Sequence, residues 1–236
     1  MLLLRMGMKK LVWSLLMGLP FLGWGQPATQ HAIGVQWELP LQYGVRYDFR
    51  PVKLLSAHLG VGLLSEPNST AIFNTLEAFG TDKETLNLLD KALQTGLVLE
   101  SGLNLHFGKN YSGLYLQVVR LSGKDTAYDI VEQTLNEDLT TYPSRRGISV
   151  VDERTLTLNS NLLQLGWLYG RIFPLKGRSQ LFAELSVSLN LDSRSNFDSN
   201  QRDFSGLDQV VDAYLSDVYR SYAYLPGLTL GWRKLL

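Results

Sequence analysis

His58, His106, Glu100 and Glu184 are the residue types from which metal sites and acid–base pairs are made. Imidazole and carboxylate together can hold a divalent cation or pass a proton. The two histidines, however, stand on separate segments, at no spacing that ligand motifs use. Asp192, Asp198, Asn200 and Asp203 offer oxygens of the kind that bind calcium, but not at the spacing of a calcium-binding loop. A solvated acidic stretch is the plainer reading. The chain has no cysteine, so thiolate metal sites, disulfides and a lipidated cysteine are excluded. No catalytic residue, metal or cofactor is expected.

The elements that must position these residues follow from a period of two. Leu181, Ala183, Leu185, Val187, Leu189 and Leu191 alternate with Gln180, Glu184, Ser186, Ser188 and Asn190; Phe182 is the one apolar exception. Such a run makes a strand with one oily and one polar face, long enough to cross a bilayer. Residues 31–50 alternate in the same way and read either as one long strand or as a hairpin at Leu39-Pro40-Leu41. A three-residue turn would preserve parity, and Pro40 favours it because it cannot donate to a ladder. Further strands are expected at 53–65, 96–108, 114–123, 154–173, 180–192 and 223–235. Parity slips at Val118-Val119 and Leu162-Leu163 read as bulges.

With the Pro40 hairpin the count is eight. After that hairpin, short connections (50–53, 109–112, 174–179) alternate with long ones (66–95, 125–153, 194–222). That is the rhythm of an up-and-down barrel with short periplasmic turns and long outer loops. The long loops carry helical stripes: Ile72, Phe73, Leu76 and Phe79, then a helix opened by the capping box Thr81/Glu84, then 127–139. A last stripe, over 206–220, includes Leu207, Val210, Val211, Tyr214, Leu215 and Val218. These faces either pack on the barrel rim or meet a partner or apolar ligand. The residues assigned to the second role are Ile72, Phe73, Leu76, Phe79, Val211, Tyr214 and Leu215.

The N-terminus reads as a secretory signal. Met8-Lys9-Lys10 is a basic n-region and Leu11–Leu22 an apolar h-region too short to span as a helix. Gly23-Trp24-Gly25 suits cleavage before Gln26, giving a signal over 1–25 and one barrel domain over 26–236. The whole chain carries 22 basic and 22 acidic residues; without residues 1–25 the balance is 19 against 22, or −3. No nucleic-acid partner is implied.

Alternation alone does not say which face points inward. Three features put the oily face outside. The polar face is rich in glycine (Gly34, Gly44, Gly60, Gly62, Gly102, Gly227, Gly231), as a narrow interior requires. Aromatics (Tyr47, Phe49, Phe107, Trp167, Tyr169, Trp232) gather near the short-turn ends like an interfacial girdle. Of the 22 acids, 18 fall in the long loops when Asp192 is counted with the last, and the other four (Glu38, Asp48, Glu100, Glu184) fall on the polar face. Arg171 and Lys234 depart from the rule near strand ends, where they can snorkel. An eight-stranded barrel is filled by its own side chains. The expected lumen network is therefore Arg46, Asp48, His58, Glu100, Asn104, His106, Glu184 and Arg233, with Arg46 or Arg233 paired to Glu100 or Glu184.

On this architecture the chain resembles the small outer-membrane barrels of the OmpA transmembrane-domain, OmpX and OmpW kind. Its signal, Gln26 start and helical loops resemble barrels of Bacteroidota. It departs at the final residue, Leu236, where such chains usually carry an aromatic. The resemblance implies an all-β, eight-stranded antiparallel transmembrane barrel with helical extracellular loops, located in the outer membrane. Barrel lipases and deacylases share this size class, but no Ser-His-acid set falls on the oily face. A non-enzymatic structural or accessory subunit is expected. Its partners would be outer-membrane lipid, lipopolysaccharide bridged by divalent cations to the acidic loops, and a larger outer-membrane complex. The alternative is an OmpW-like passage for small apolar molecules, marked by apolar side chains at the top of the lumen.

Overall fold

The computed structural model describes residues 29–39, 42–64, 95–127, 131–132, 155–198, 205–221 and 226–236. The expected signal segment, Pro40 itself and the stripe Ile72, Phe73, Leu76 and Phe79 lie outside them, as do Tyr224, Asn200, Asp203 and most of the 127–139 stripe. Eight antiparallel strands close into a barrel in sequence order: β1 (Gln30–Leu39), β2 (Gln42–Val52), β3 (Leu55–Leu64), β4 (Thr95–Phe107), β5 (Asn110–Ala127), β6 (Thr155–Pro174), β7 (Ser179–Asp198) and β8 (Gly227–Leu235). β8 closes the ring on β1, with Ala32 opposite Leu235 and Leu39 opposite Leu228. One helix, α1 (Ser205–Ser221), joins β7 to β8 among the described residues.

Residues 31–50 are two strands. Glu38 pairs with Gln42, which leaves three residues in the connection. The short turns are tighter than expected: Lys53-Leu54 separates β2 from β3, and Gly108-Lys109 separates β4 from β5. Gly108 has φ of 71°, a region closed to most side chains, which lets the chain reverse in two residues.

The strands differ in height. β1, β2, β3 and β8 have 9 to 11 residues, whereas β5 has 18 and β6 and β7 have 20 each. At a rise of ~3.3 Å and a tilt of ~40°, ten residues stand about 25 Å tall, the height of a lipid-facing band. Three strands therefore climb about twice as high as the rest. They form an upper storey above a complete lower ring.

The oily face of the lower ring points outward. Leu103 is 60% exposed and Leu185 58%, whereas Glu100 and Glu184 are 9% and 4% exposed. Val35, Trp37, Val45, Leu59, Val61, Leu105, Leu114, Trp167, Leu230 and Trp232 share that outer surface.

The expected bulges at Val118-Val119 and Leu162-Leu163 do not exist. β5 and β6 pair without a break from Asn110↔Arg171 to Gly123↔Leu158. Odd residues of β5 stay inside from Tyr111 to Gly123, as do even residues of β6 from Leu156 to Ile172. What changes there is the polarity of the outward residues, not the parity. Below, the outward residues are apolar: Leu114, Leu116, Trp167 and Leu165. Above, they are Arg120, Ser122, Asn161 and Asn159, while Val119, Leu121, Leu162 and Leu158 are buried inside. The real irregularity is in β7. Leu163 pairs with Asp192 and Gln164 with Asn190, so Leu191 is the extra residue and parity shifts to place Ser193, Ser195 and Phe197 inside. The strand runs on to Asp198, through residues expected to be loop.

Candidate functional site: the barrel interior and its cap

The lower interior is built on rings laid over glycines. Tyr111 faces Gly170, Tyr115 faces Gly166, Phe182 faces Gly231 and His58 faces Gly102, each directly across a strand pair. A Cβ on any of these glycines would overlap the opposing ring. The absent side chain lets the ring lie flat against the wall and leaves the centre for polar groups. Phe182, the lone apolar residue on the polar face of β7, lies under two guanidiniums, with Arg46 Cζ 5.4 Å and Arg233 Cζ 5.7 Å from its ring centre. A cation over a ring face is attracted by the ring quadrupole, more so where water is excluded.

Arg46 from β2 reaches across to Glu184 on β7. Its Nη1 donates to both carboxylate oxygens, at 2.7 and 2.9 Å, and its Nε donates to Asp48 Oδ1 at 3.2 Å. Tyr111 on β5 donates its hydroxyl to Glu184 at 2.6 Å. Arg233 Nη1 lies 3.2 Å from Asp48 Oδ2, and Arg233 Nε donates to Gln180 at 3.0 Å. Of the pairings weighed from sequence, Arg46–Glu184 forms. Arg233 goes instead to Asp48, and Glu100 is met by His58 Nε2 at 3.0 Å. Isolated buried charges are costly, so their pairing is what makes this interior tolerable rather than a source of net stability.

Asn104 links the two histidines. Its amide nitrogen is 3.1 Å from His58 Nδ1 and 3.5 Å from Ser56 Oγ, and Ser56 Oγ is 2.8 Å from His106 Nε2. All eight residues expected in the lumen face inward, and seven join this network or the Arg46 cluster through hydrogen bonds or ion pairs among themselves; His106 is held through Ser56. Sequence reasoning missed Ser56, Tyr111 and Phe182. The signal for Tyr111 was its place opposite a glycine, which only the register reveals. Ser56 and His106 have the look of a nucleophile and its base. Ser56 is buried beside a cavity of about 20 Å³.

Above the network the interior turns apolar. Leu64, Val98, Val119, Leu121 and Leu162 are buried at the top of the lower ring. α1 packs on β7 above them, and Leu207, Val211 and Leu215, one per turn, are 0% exposed. Val211 and Leu215 were expected to face a partner or ligand; they are core residues of the upper storey, and Tyr214 beside them is half-buried. Among the described residues, β7 beyond Ser186 has no β8 partner, which leaves it an open edge there. Asp212 accepts from the Ser195 amide at 2.8 Å and Asp208 from the Phe197 amide at 3.1 Å. Four helix residues advance ~6 Å and two strand residues ~6.6 Å, so carboxylates one turn apart meet every second edge amide. Tyr219 donates to Ser160 at 3.1 Å, and burial pushes its hydroxyl up to about 12. Asp192, from the suggested calcium set, lies 3.9 Å from Arg194 on the outer face.

No protein-family model matches the chain, and no curated protein does. Among solved structures, the chain is similar to a major outer membrane protein from Thermus thermophilus. Identity is 15%, the match covers 89% of this chain and all of that one, and the TM-score is 0.44. A likeness of that size leaves the barrel to rest on its own strand register.

Proposed function

We propose that this chain is a non-enzymatic integral outer-membrane barrel, a structural or accessory subunit. Its lumen is plugged by its own ion pairs, and its tall side presents α1 and the upper β5–β7 ribbon to the outside. The observation that carries this reading is the inversion of polarity at one level on three paired strands. Val118, Leu163 and Asp192 mark that level, and each is paired to the next. A barrel wholly in water has no reason to be oily outside and ionic inside over half its height, then the reverse. The 18 loop acids support bridging by divalent cations to lipopolysaccharide. Export by a signal over 1–25 and kinship with Bacteroidota barrels rest on the sequence features alone.

Two measurements test it. Resistance to carbonate extraction with heat-modifiable migration on gels is expected; release as a soluble protein would end the membrane reading. Native pull-down should then recover a stable partner, and a solitary monomer in every extract would remove the accessory role. Loss of surface retention on chelation is expected from cation bridging.

The second reading is an OmpW-like passage for small apolar molecules. Leu64, Val98, Val119, Leu121 and Leu162 at the top of the lumen favour it. All five are buried, so passage would require this layer to part. Uptake of a small apolar dye into vesicles by the barrel would select this reading.

A further inference from the structure

The hydrogen-bond chain in the lumen has a direction. Asn104 has two amide protons, and its nitrogen contacts His58 Nδ1 and Ser56 Oγ. His58 Nδ1 is therefore an acceptor, and its Nε2 carries the proton that meets Glu100. Ser56 Oγ accepts from Asn104, which leaves its own proton free for His106 Nε2. With Ser56 as that donor, His106 is the tautomer with its proton on Nδ1. His106 Nδ1 is buried and meets no partner among the described residues, and neither does the buried Arg50 Nε. Arg50's terminal nitrogen donates to the Lys53 carbonyl.

Both groups line one small cavity at the short-turn mouth, about 20 Å³, with Ser56, Arg233 and Asp48. Asp48 is the one carboxylate in that lining, and it already faces Arg46 and Arg233. Among the described residues, Arg50 is thus the guanidinium of this mouth without an opposing charge. Unused donors and surplus positive charge meet at this small cavity.

We propose that the short-turn mouth is a small-anion site, which takes a halide-sized ion between His106 Nδ1–H and Arg50 Nε–H. Stranded buried donors are costly, and an anion satisfies two at once while neutralising Arg50. The small volume favours a monatomic anion over a larger one. The site is independent of the medium outside the barrel, so its failure would leave the membrane reading untouched.

The test is nitrogen NMR on the full chain, refolded in detergent micelles with labelled histidine. The chain has three histidines; His31 lines the same cavity, so His58, which does not, is the internal control. Bromide is titrated at constant ionic strength, balanced by methanesulfonate. The His106 Nδ1 signal should show a bound proton and shift saturably while His58 does not. Arg50→Gln should weaken bromide about tenfold, the loss of one charge-assisted bond, whereas Lys109→Gln on the turn surface should leave it unchanged. Ser56→Ala should release the tautomer and weaken binding also. A shift that never saturates, one equal in Arg50→Gln, or a proton found on Nε2 would overturn the site. A water molecule bridging to Asp48 would give a signal indifferent to bromide, and that too would overturn it.

Discussion

Below Val118 and above it, the same three strands obey opposite rules. In the lower ring, leucines stand outside and ionised groups meet at the centre. In the upper storey, Asn161, Asn196 and Arg194 stand outside, and Leu158, Phe197, Leu207 and Val211 form the core. Across the boundary itself the pairing of β5 with β6 does not change, from Asn110↔Arg171 to Gly123↔Leu158. On the membrane reading proposed above, the surrounding solvent selects the face, and the fold accommodates either choice. The edges are handled differently as well. The lower ring has none, because β8 closes on β1. The upper storey leaves β7 open, and α1 covers it with two carboxylates.

The largest expected effect lies in the lower ring. Glu184→Leu strands Arg46, which loses its two shortest bonds. A loss of ~3–5 kcal/mol is expected, as when one partner of a buried pair is removed. The double replacement Arg46→Leu with Glu184→Leu should cost less than the single one. Denaturant unfolding in micelles measures both; a double variant worse than the single would mean that packing, not charge pairing, dominates the interior.

Next comes the outer surface. Leu185→Arg places a cation on the lower face and should cost ~2–4 kcal/mol on insertion into vesicles if that level is near mid-bilayer. Asn161→Arg, on an adjacent strand above the boundary, should change stability by no more than about 0.5 kcal/mol, as exposed surface changes do. Equal costs at the two sites would erase the distinction between the storeys.

Much of the lower ring was legible in the sequence. Strand number, face assignment and the inward acids follow from a period of two and from where charges are absent. The upper storey was legible only in part, because its residues report solvent and geometry together. At Val118-Val119 the apolar set moves from even to odd residues, which reads as an inserted residue when one medium is assumed throughout. At Leu191 a residue really is inserted, but Asp192 to Asp198 are polar enough to pass for loop. The stripe Val211, Tyr214, Leu215 marked a helix, while its partner, the inner face of β7, is invisible until β7 is known to continue. The pairing of His58 with Glu100 rather than an arginine depended on register, which alternation does not supply.

The edge cap gives a smaller effect. Asp212→Ala leaves the Ser195 amide without its acceptor and should cost about 1–2 kcal/mol, confined to the upper storey. Hydrogen exchange at Ser195 and Phe197 should accelerate while β1, β2 and β8 stay protected and heat-modifiable migration is retained. Faster exchange throughout the barrel would show that the two storeys unfold as one unit.

The smallest effect concerns Tyr219, which ties α1 to Ser160 and is silent at neutral pH. Its hydroxyl titrates near 12 in the folded chain, because burial disfavours the phenolate, and near 10 when exposed. A raised folded value means that its contribution is complete below pH 10 and is lost as pH climbs through 12. Tyrosinate absorbance of the folded protein, compared with Tyr219→Phe, should therefore differ by one group with a midpoint close to 12. A midpoint at 10 would mean that the hydroxyl is open to water, and that α1 is less firmly seated on β6 and β7 than its buried leucines imply.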